Sequence, residues 1–272
     1  MNRRNFILKI LSFFSLIIGL VVLDAFWFER YIIQWNVFDI SDRDTGKIKT
    51  IQLTDLHIDE IRSFHHSIAK RINREQPDLL FFTGDSVNRT SKLHVFNELL
   101  NLIDPKIQKI AVMGNKEYEA NVDIDLFKKI LEAHNGKLLI NETLEVKLKG
   151  RTINVIGLDD YIGSNSDYYT TAKNLDKSME TIVLNHCPQY RDDIERINRD
   201  LKLNLTVLLC GHTHGGQITF FGQPFITPRG SGRYVKGWYR SKETQMYVSK
   251  GIGTTYYPIR FWCRAEATIF YV

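Results

Sequence analysis

The sequence predicts an α/β fold, on two observations. Apolar strands alternate with segments of helical spacing from Lys49 to His134, and after Lys137 the chain turns strand-rich at short intervals. A third observation sets the first 35 residues apart: an apolar run from Ile10 to Leu23 reaches Phe28 with only Asp24 interrupting it, long enough to cross a bilayer as one helix. The expected organisation is an N-terminal transmembrane or signal-anchor segment over 1–35, a linker over 36–48 and one folded domain over 49–272.

At the start of the chain, Arg3, Arg4 and Lys9 precede the apolar run, so the positive-inside tendency puts the N-terminus in the cytoplasm and the domain on the extracytoplasmic side. Trp27, Tyr31 and Trp35 would then lie near the outer interface. The stretch "RRNFILK" is also similar to a twin-arginine export signal. With no small-x-small cleavage site before Lys47, it reads as a retained anchor.

"KTIQLT" (49–54) is a short apolar strand, 63–76 has helical spacing through Phe64, Ile68 and Ile72, and "DLLFFT" (78–83) is again a strand. A helix over 92–103, a strand over 109–113 and a helix over 124–134, stopped by Asn135-Gly136, extend the series. Such βα units build parallel strands through right-handed crossovers. Three strands come next in "KLLIN", "LEVKLKG" and "TINVIGLDD", with Lys149-Gly150 as a hairpin turn. The spacing then predicts a helix over 172–179, a strand over 181–186, a helix within 189–200 and a strand over 204–212. From Gln217 the chain is Gly-rich, aromatic and strand-like to its end at "ATIFYV".

The 272 residues, 43% of them hydrophobic, suffice for one large core. The net charge of +5 is mild, but eight basic residues against the single acid Glu243 fall between Phe221 and Arg264, which favours an anionic partner. Three cysteines without CxxC spacing argue against a disulfide framework or a zinc-thiolate site. No stacking motif or sustained basic helix points to nucleic acid.

The residues at the carboxyl ends of the strands carry the function. The first strand ends in Asp55 and His57, the second in Gly84-Asp85, the third in Gly114-Asn115, a later one in His186, and the last in Gly211-His212-Thr213-His214. Ligands of open α/β sheets bind beyond these strand ends. Asp55, Asp85 and Asn115 recur at 30-residue intervals, about one βα unit each, and in an extended strand Asp55 and His57 would share a face. Any one of these residues is more often a cap or a surface group, but seven at strand ends are hard to explain as caps. Oxygen and imidazole ligands without thiolate suit Zn, Mn or Fe. Seven ligands exceed the needs of one ion and suit two divalent ions about 3.5–4 Å apart, a pair that clamps phosphate and activates water.

The series "TDLH", "TGDS", "MGNK", "LNHCP" and "CGHTHGGQ" resembles the calcineurin-like metallophosphoesterases, whose pattern is DxH, GD, GNH(D/E), an isolated His and GHxH. The resemblance covers about 49–272, and the tail "YVSKGIGTTYYPIRF" is similar to that of a subgroup of membrane-associated or exported phosphodiesterases. It implies a four-layer αββα sandwich with the metals at the sheet edge, and hydrolysis of a phosphoester or diphosphate by a metal-bridging hydroxide. By motif, Asp55, His57 and His214 would hold one metal and Asn115, His186 and His212 the other, with Asp85 bridging.

Three positions depart from the family pattern. Lys116 replaces a His that binds phosphate and protonates the leaving oxygen, Glu117 replaces an Asp thought to orient that His, and Asn88 stands where Asp is frequent. Lysine holds phosphate as a point charge but is a poor proton donor at neutral pH, so Lys116 would bias the enzyme toward activated leaving groups. The alternatives are a UDP-2,3-diacylglucosamine pyrophosphatase of lipid A synthesis, which a lipid-linked substrate and the anchor would suit, and an inactive scaffold with the same fold.

Overall fold

The computed structural model describes residues 2–272. It begins with α1 (Arg3–Leu23), none of whose residues is buried, and continues through a π-helical turn at Asp24–Phe28 into α2 (Glu29–Tyr31). Among the described residues this is the one helix long and apolar enough to cross a membrane. Its end is seated on the rest of the chain: the amides of Arg260 and Ala265 donate to the carbonyls of Ala25 (3.0 Å) and Glu29 (2.8 Å).

Then come β1 (Gln34–Asp39), β2 (Lys49–Leu53), α3 (Ser63–Glu75), β3 (Leu79–Thr83), α4 (Leu93–Asn101) and β4 (Gln108–Val112). The short α5 (Asn115–Glu119) precedes α6 (Ile124–Ala133) and β5 (Gly136–Leu138). The second half has β6 (Glu142–Leu148), β7 (Arg151–Gly157), α7 (Tyr168–Ala172), β8 (Thr181–Leu184), α8 (Arg191–Leu201) and β9 (Leu205–Cys210). It closes with β10 (Thr219–Phe220), β11 (Gln223–Pro224), β12 (Gly237–Arg240), β13 (Gln245–Val248) and β14 (Glu266–Tyr271).

Two six-stranded sheets result, ordered β1-β14-β2-β3-β4-β5 and β12-β13-β9-β8-β7-β6, while β10 and β11 form a separate hairpin. β2 to β5 are parallel, as are β7, β8, β9 and β13. Strand alternation divides the core into layers. Leu79 and Phe81 of β3 face Val155 of β7 and Leu184 of β8 between the sheets, whereas Leu80 and Phe82 pack under Ile72, Phe96 and Phe127 of the first helical layer. Ile156, Val183 and Leu208 pack under Tyr168 and Ile194 of the second. Both faces of each sheet are thus covered, which is why these strands read as continuous apolar runs. This is the expected four-layer αββα arrangement.

Two expectations are corrected. The 36–48 linker is partly sheet: β1 pairs in parallel with β14 along six residues, so the first sheet already begins at Gln34. Its partner lies some 230 residues downstream, so no local signal marks it. The helix expected over 172–179 lies earlier, over Tyr168–Ala172, because the Asp167 side chain caps it by accepting from the Thr170 amide (3.0 Å). The Asp176 side chain accepts from the Ser178 amide (2.9 Å), stabilising a turn instead.

Candidate metal centre

The residues expected at the strand ends converge where the two sheets meet. Asp55, His57, Asp85, Asn115, His186, His212 and His214 are all buried. Asp55, His57 and His214 bring one ligand atom each within 4.8 Å of one another, and so do Asp55, Asp85 and His186. His57 Nε2 and His214 Nε2 are 3.0 Å apart, and His212 Nδ1 lies 2.9 Å from Asn115 Oδ1. Asp85 stands between the groups, with Oδ2 3.6 Å from His57 Nε2 and Oδ1 3.4 Å from His186 Nε2.

The local backbone differs from the extended strand expected for Asp55 and His57. β2 ends at Leu53, and Asp55, His57, Asp85, His212 and His214 all have positive φ, between 44° and 73°. Non-glycine residues enter this region only where the surroundings over-determine them. Here the amides of Asp55 and His57 donate to the carbonyls of Gly84 and Asp85, each at 3.0 Å, locking the first two loops together. Two glycines make the approach possible. A Cβ on Gly84 (φ +90°) would lie 2.4 Å from His186 Nδ1, and one on Gly114 would lie 2.3 Å from Asp85 Oδ1. Gly114 has φ −117°, so it serves close approach and not the turn.

Glu117 does something other than orient residue 116. Its carboxylate accepts from four backbone amides: Asp85 (3.0 Å) and Gly114 (2.9 Å) on Oε2, and Ser86 (2.6 Å) and Val87 (3.1 Å) on Oε1. Burial and the Asp85 charge push its carboxyl up, but every lone-pair direction is filled by an N–H, which holds the carboxylate form. Glu117 thereby clamps the Gly84 loop to the Gly114 loop.

Whether the donor set fits a cation depends on where the imidazole protons sit. His186 Nδ1 donates to the Thr83 carbonyl (2.8 Å) and His212 Nε2 to the Arg229 carbonyl (2.7 Å), while His57 Nδ1 bonds Asn88 Oδ1 (2.7 Å). The outer nitrogen of each therefore carries a proton, which leaves the inner nitrogen as the one that can offer a lone pair to a cation. His186 Nε2 has no hydrogen-bond partner. Asn115 donates through Nδ2 to Glu119 Oε1 (2.8 Å), which turns its Oδ1 toward the His212 lone pair, so two acceptors face one another. Facing acceptors are repulsive unless a cation lies between them, and the residues present fit that requirement.

The charges agree. Burial raises the Asp85 carboxyl, but His186, His57 and the Lys116 amide outweigh it and hold it well below the usual carboxylate range. Burial, with Asp85 adding to it, raises Asp55. Burial and His186 push His212 down to about 4, and burial and His57 lower His214, leaving both imidazoles neutral and able to ligate.

Lys116 sits at the rim. Its amide donates to Asp85 Oδ1 (2.8 Å), while its ammonium pairs with Glu119 and lies 5.6 Å from the centroid of the Tyr256 ring. Burial lowers the ammonium but Glu119 outweighs it, so the pKa rises and Lys116 stays charged. Asn88, which stands where Asp is frequent, bonds His57 Nδ1 through its Oδ1. Glu119 was missed; its signal was its place one helical turn after Asn115. Thr255, whose hydroxyl lies 2.9 Å from His214 Nε2, and the wholly buried Arg260 had no sequence signal.

The calcineurin-like phosphoesterase family matches residues 48–216. An uncharacterized metallophosphoesterase of Bacillus subtilis, YkuE, is 31% identical over 230 residues, 82% of this chain and 78% of that protein. The phosphodiesterase YaeI of Escherichia coli is 27% identical over 252 residues, 89% and 87% of the two chains. Among solved structures, a 5'-nucleotidase precursor of Thermus thermophilus aligns with a TM-score of 0.48 at 15% identity, over 83% of this chain and 55% of that one.

Proposed function

The chain belongs to the calcineurin-like phosphoesterase family, and we propose that it works as a membrane-anchored phosphoesterase acting on phosphoesters with good leaving groups. Members of this family use two divalent metals, and the Asp and His groups of this chain could hold a dinuclear centre. In the proposed assignment Asp55, His57 and His214 hold one ion, and Asn115, His186 and His212 the other. Asp85 would bridge them, since its two oxygens face His57 and His186 respectively, whereas both oxygens of Asp55 already accept from the His212 amide (3.1 and 3.0 Å). When bound, such a pair polarises the phosphoryl group and lowers the pKa of water. The identity of the ions, Zn, Mn or Fe, is left to metal analysis.

The chain's own residues do the rest. Glu117 holds the two loops in register, and Asn88, Thr83 and Arg229 fix the imidazole tautomers. Lys116 brings a permanent positive charge to the rim, suited to a phosphate oxygen and unsuited to protonating an alkoxide. That charge carries the preference for diphosphate diesters and aryl phosphoesters. α1, apolar and wholly exposed, supports single-pass anchoring, and the basic start before it supports an extracytoplasmic domain.

The test is a substrate comparison on the metal-loaded chain. Wild type should favour a nucleoside diphosphate ester over an alkyl phosphomonoester, and Lys116→His should narrow that preference about tenfold or more. If wild type cleaves the alkyl ester as well as the His variant does, the leaving-group reading fails. Asp85→Asn in the same assay should lose both bound metal and activity; retention of either removes Asp85 from the proposed bridge.

A further inference from the structure

The loops that close over the centre are those on which the N-terminal helix is seated. The Cys263 amide donates to Glu29 Oε2 (2.7 Å), and the Cys263 thiol lies 3.2 Å from the His214 carbonyl. One residue therefore separates the helix from a candidate ligand, a span on the order of 10 Å. The headgroup layer of a bilayer is comparable, at roughly 5–7 Å on each side. A second tie runs through Arg260, whose amide bonds Ala25 and whose guanidinium donates to the carbonyls of Lys250, Gly251, Gly253 and Cys263.

The same loops push apolar side chains into solvent. In and after the β10–β11 hairpin, Phe221 is 76% exposed and Ile226 82%, with Phe220 and Phe225 beside them in sequence. Tyr256, 90% exposed, and Tyr257 form the tip next to Thr255. Trp262 packs on the hairpin, with its ring 4.8 Å from that of Phe221, and Gln217, just before β10, ties the second group to it by donating to the carbonyls of Thr255 (2.9 Å) and Tyr257 (3.1 Å). Elsewhere among the described residues, outside the helix and its end, the exposed large apolar side chains are Val37, Leu126, Tyr161 and Tyr169, dispersed singly. Single exposures are ordinary, but a contiguous patch marks an interface. Cations border it: Arg264 lies 4.7 Å from the centroid of the Phe28 ring at the helix end, and Arg229 is exposed.

We propose that this aromatic rim is a bilayer-facing surface, lying in the headgroup layer of the leaflet where the N-terminal helix ends, so that the centre takes its phosphoester from the membrane surface. The proposal rests on the anchoring reading above. Its occupant follows from continuity: a helix fixed by backbone hydrogen bonds to these loops carries them to the interface, where aromatic rings beside cations match the boundary between acyl chains and anionic headgroups. The substrate class is an amphiphile with its phosphoester at the bilayer surface.

The three native cysteines are buried, so single surface cysteines can be labelled selectively. In the full chain, held in phosphatidylcholine–phosphatidylglycerol nanodiscs carrying a nitroxide at headgroup depth, a fluorophore is placed by Phe221→Cys, Ile226→Cys or Lys147→Cys. Lys147 is exposed near the Lys149-Gly150 hairpin, at the far end of β7 from the centre. Quenching at 221 and 226 should exceed that at 147 by about threefold or more. Equal quenching at all three positions, in chain that stays in the disc, overturns the proposal. Release of the chain from the disc overturns the anchoring reading and this proposal with it. Hydrolysis of bis(4-nitrophenyl) phosphate by the same discs reports separately on the phosphoesterase reading, so a failure there is distinguishable from a failure of the surface.

Discussion

Asp85 stands between the two groups of the centre, and residues outside the proposed ligand set hold it: its amide donates to Glu117 and its Oδ1 accepts from the Lys116 amide. Glu119 supports the neighbouring position in the same way, since one carboxylate oxygen orients the Asn115 amide and the other pairs with Lys116. Glu119→Ala should weaken metal binding about 10–100-fold, because the Asn115 oxygen loses its fixed direction, while thermal stability of the metal-free chain changes little. Metal titration by calorimetry checks the first and a melt the second; unchanged affinity removes Glu119 from a supporting role. At this scale the sequence was legible for side chains of unmistakable chemistry, such as Asp55 and His212. It was opaque for supports that act through main-chain atoms, such as Thr83 and Arg229, because any residue type supplies a carbonyl.

Among the elements, α3 carries a pH dependence of its own. His65 is buried in its first turn, where Nδ1 accepts from the Arg62 amide (3.0 Å). Burial, with Arg62 and His66 adding to it, pushes its pKa down to about 4. The folded state thus takes up a proton less readily than the unfolded one, so stability is whole above pH ~6.5 and falls as the pH is lowered toward 4. At pH 5 the loss from this group is about 2 kcal/mol, or roughly 4–8 °C in Tm. His65→Gln keeps an acceptor at the third helical position without titrating, and should flatten the fall in Tm between pH 7 and pH 5 by that amount. An equally steep fall in the variant would clear His65. Helix and strand periods located most elements to within a few residues. α7 was misplaced because the caps at Asp167 and Asp176 competed with apolar spacing.

For the whole molecule, β1 changes where a truncated chain can start. A fragment beginning near Asp42 removes β1 and leaves β14 as an open edge, whereas one beginning at Ile33 keeps all six residue pairs between β1 and β14. β1 also carries Asn36, whose amide donates to Glu266 (2.8 Å) and to Tyr247 (3.1 Å). The shorter fragment should melt at least several degrees lower and aggregate more readily, as open edges template pairing. Size-exclusion profiles and melts of the two fragments compare them directly; equal behaviour would mean that β1 adds little.

The sequence by itself determined the α/β class, the separate apolar helix and the identity of the strand-end residues, because these depend on local period and side-chain chemistry. Only the tertiary structure decided the rest. The pairing of β1 with β14, the Glu117 clamp and the seat of the helix on Arg260 and Cys263 all depend on main-chain groups brought together by the fold. Backbone amides and carbonyls are common to nearly every residue, so their pairing leaves no mark on composition or spacing until the chain has folded.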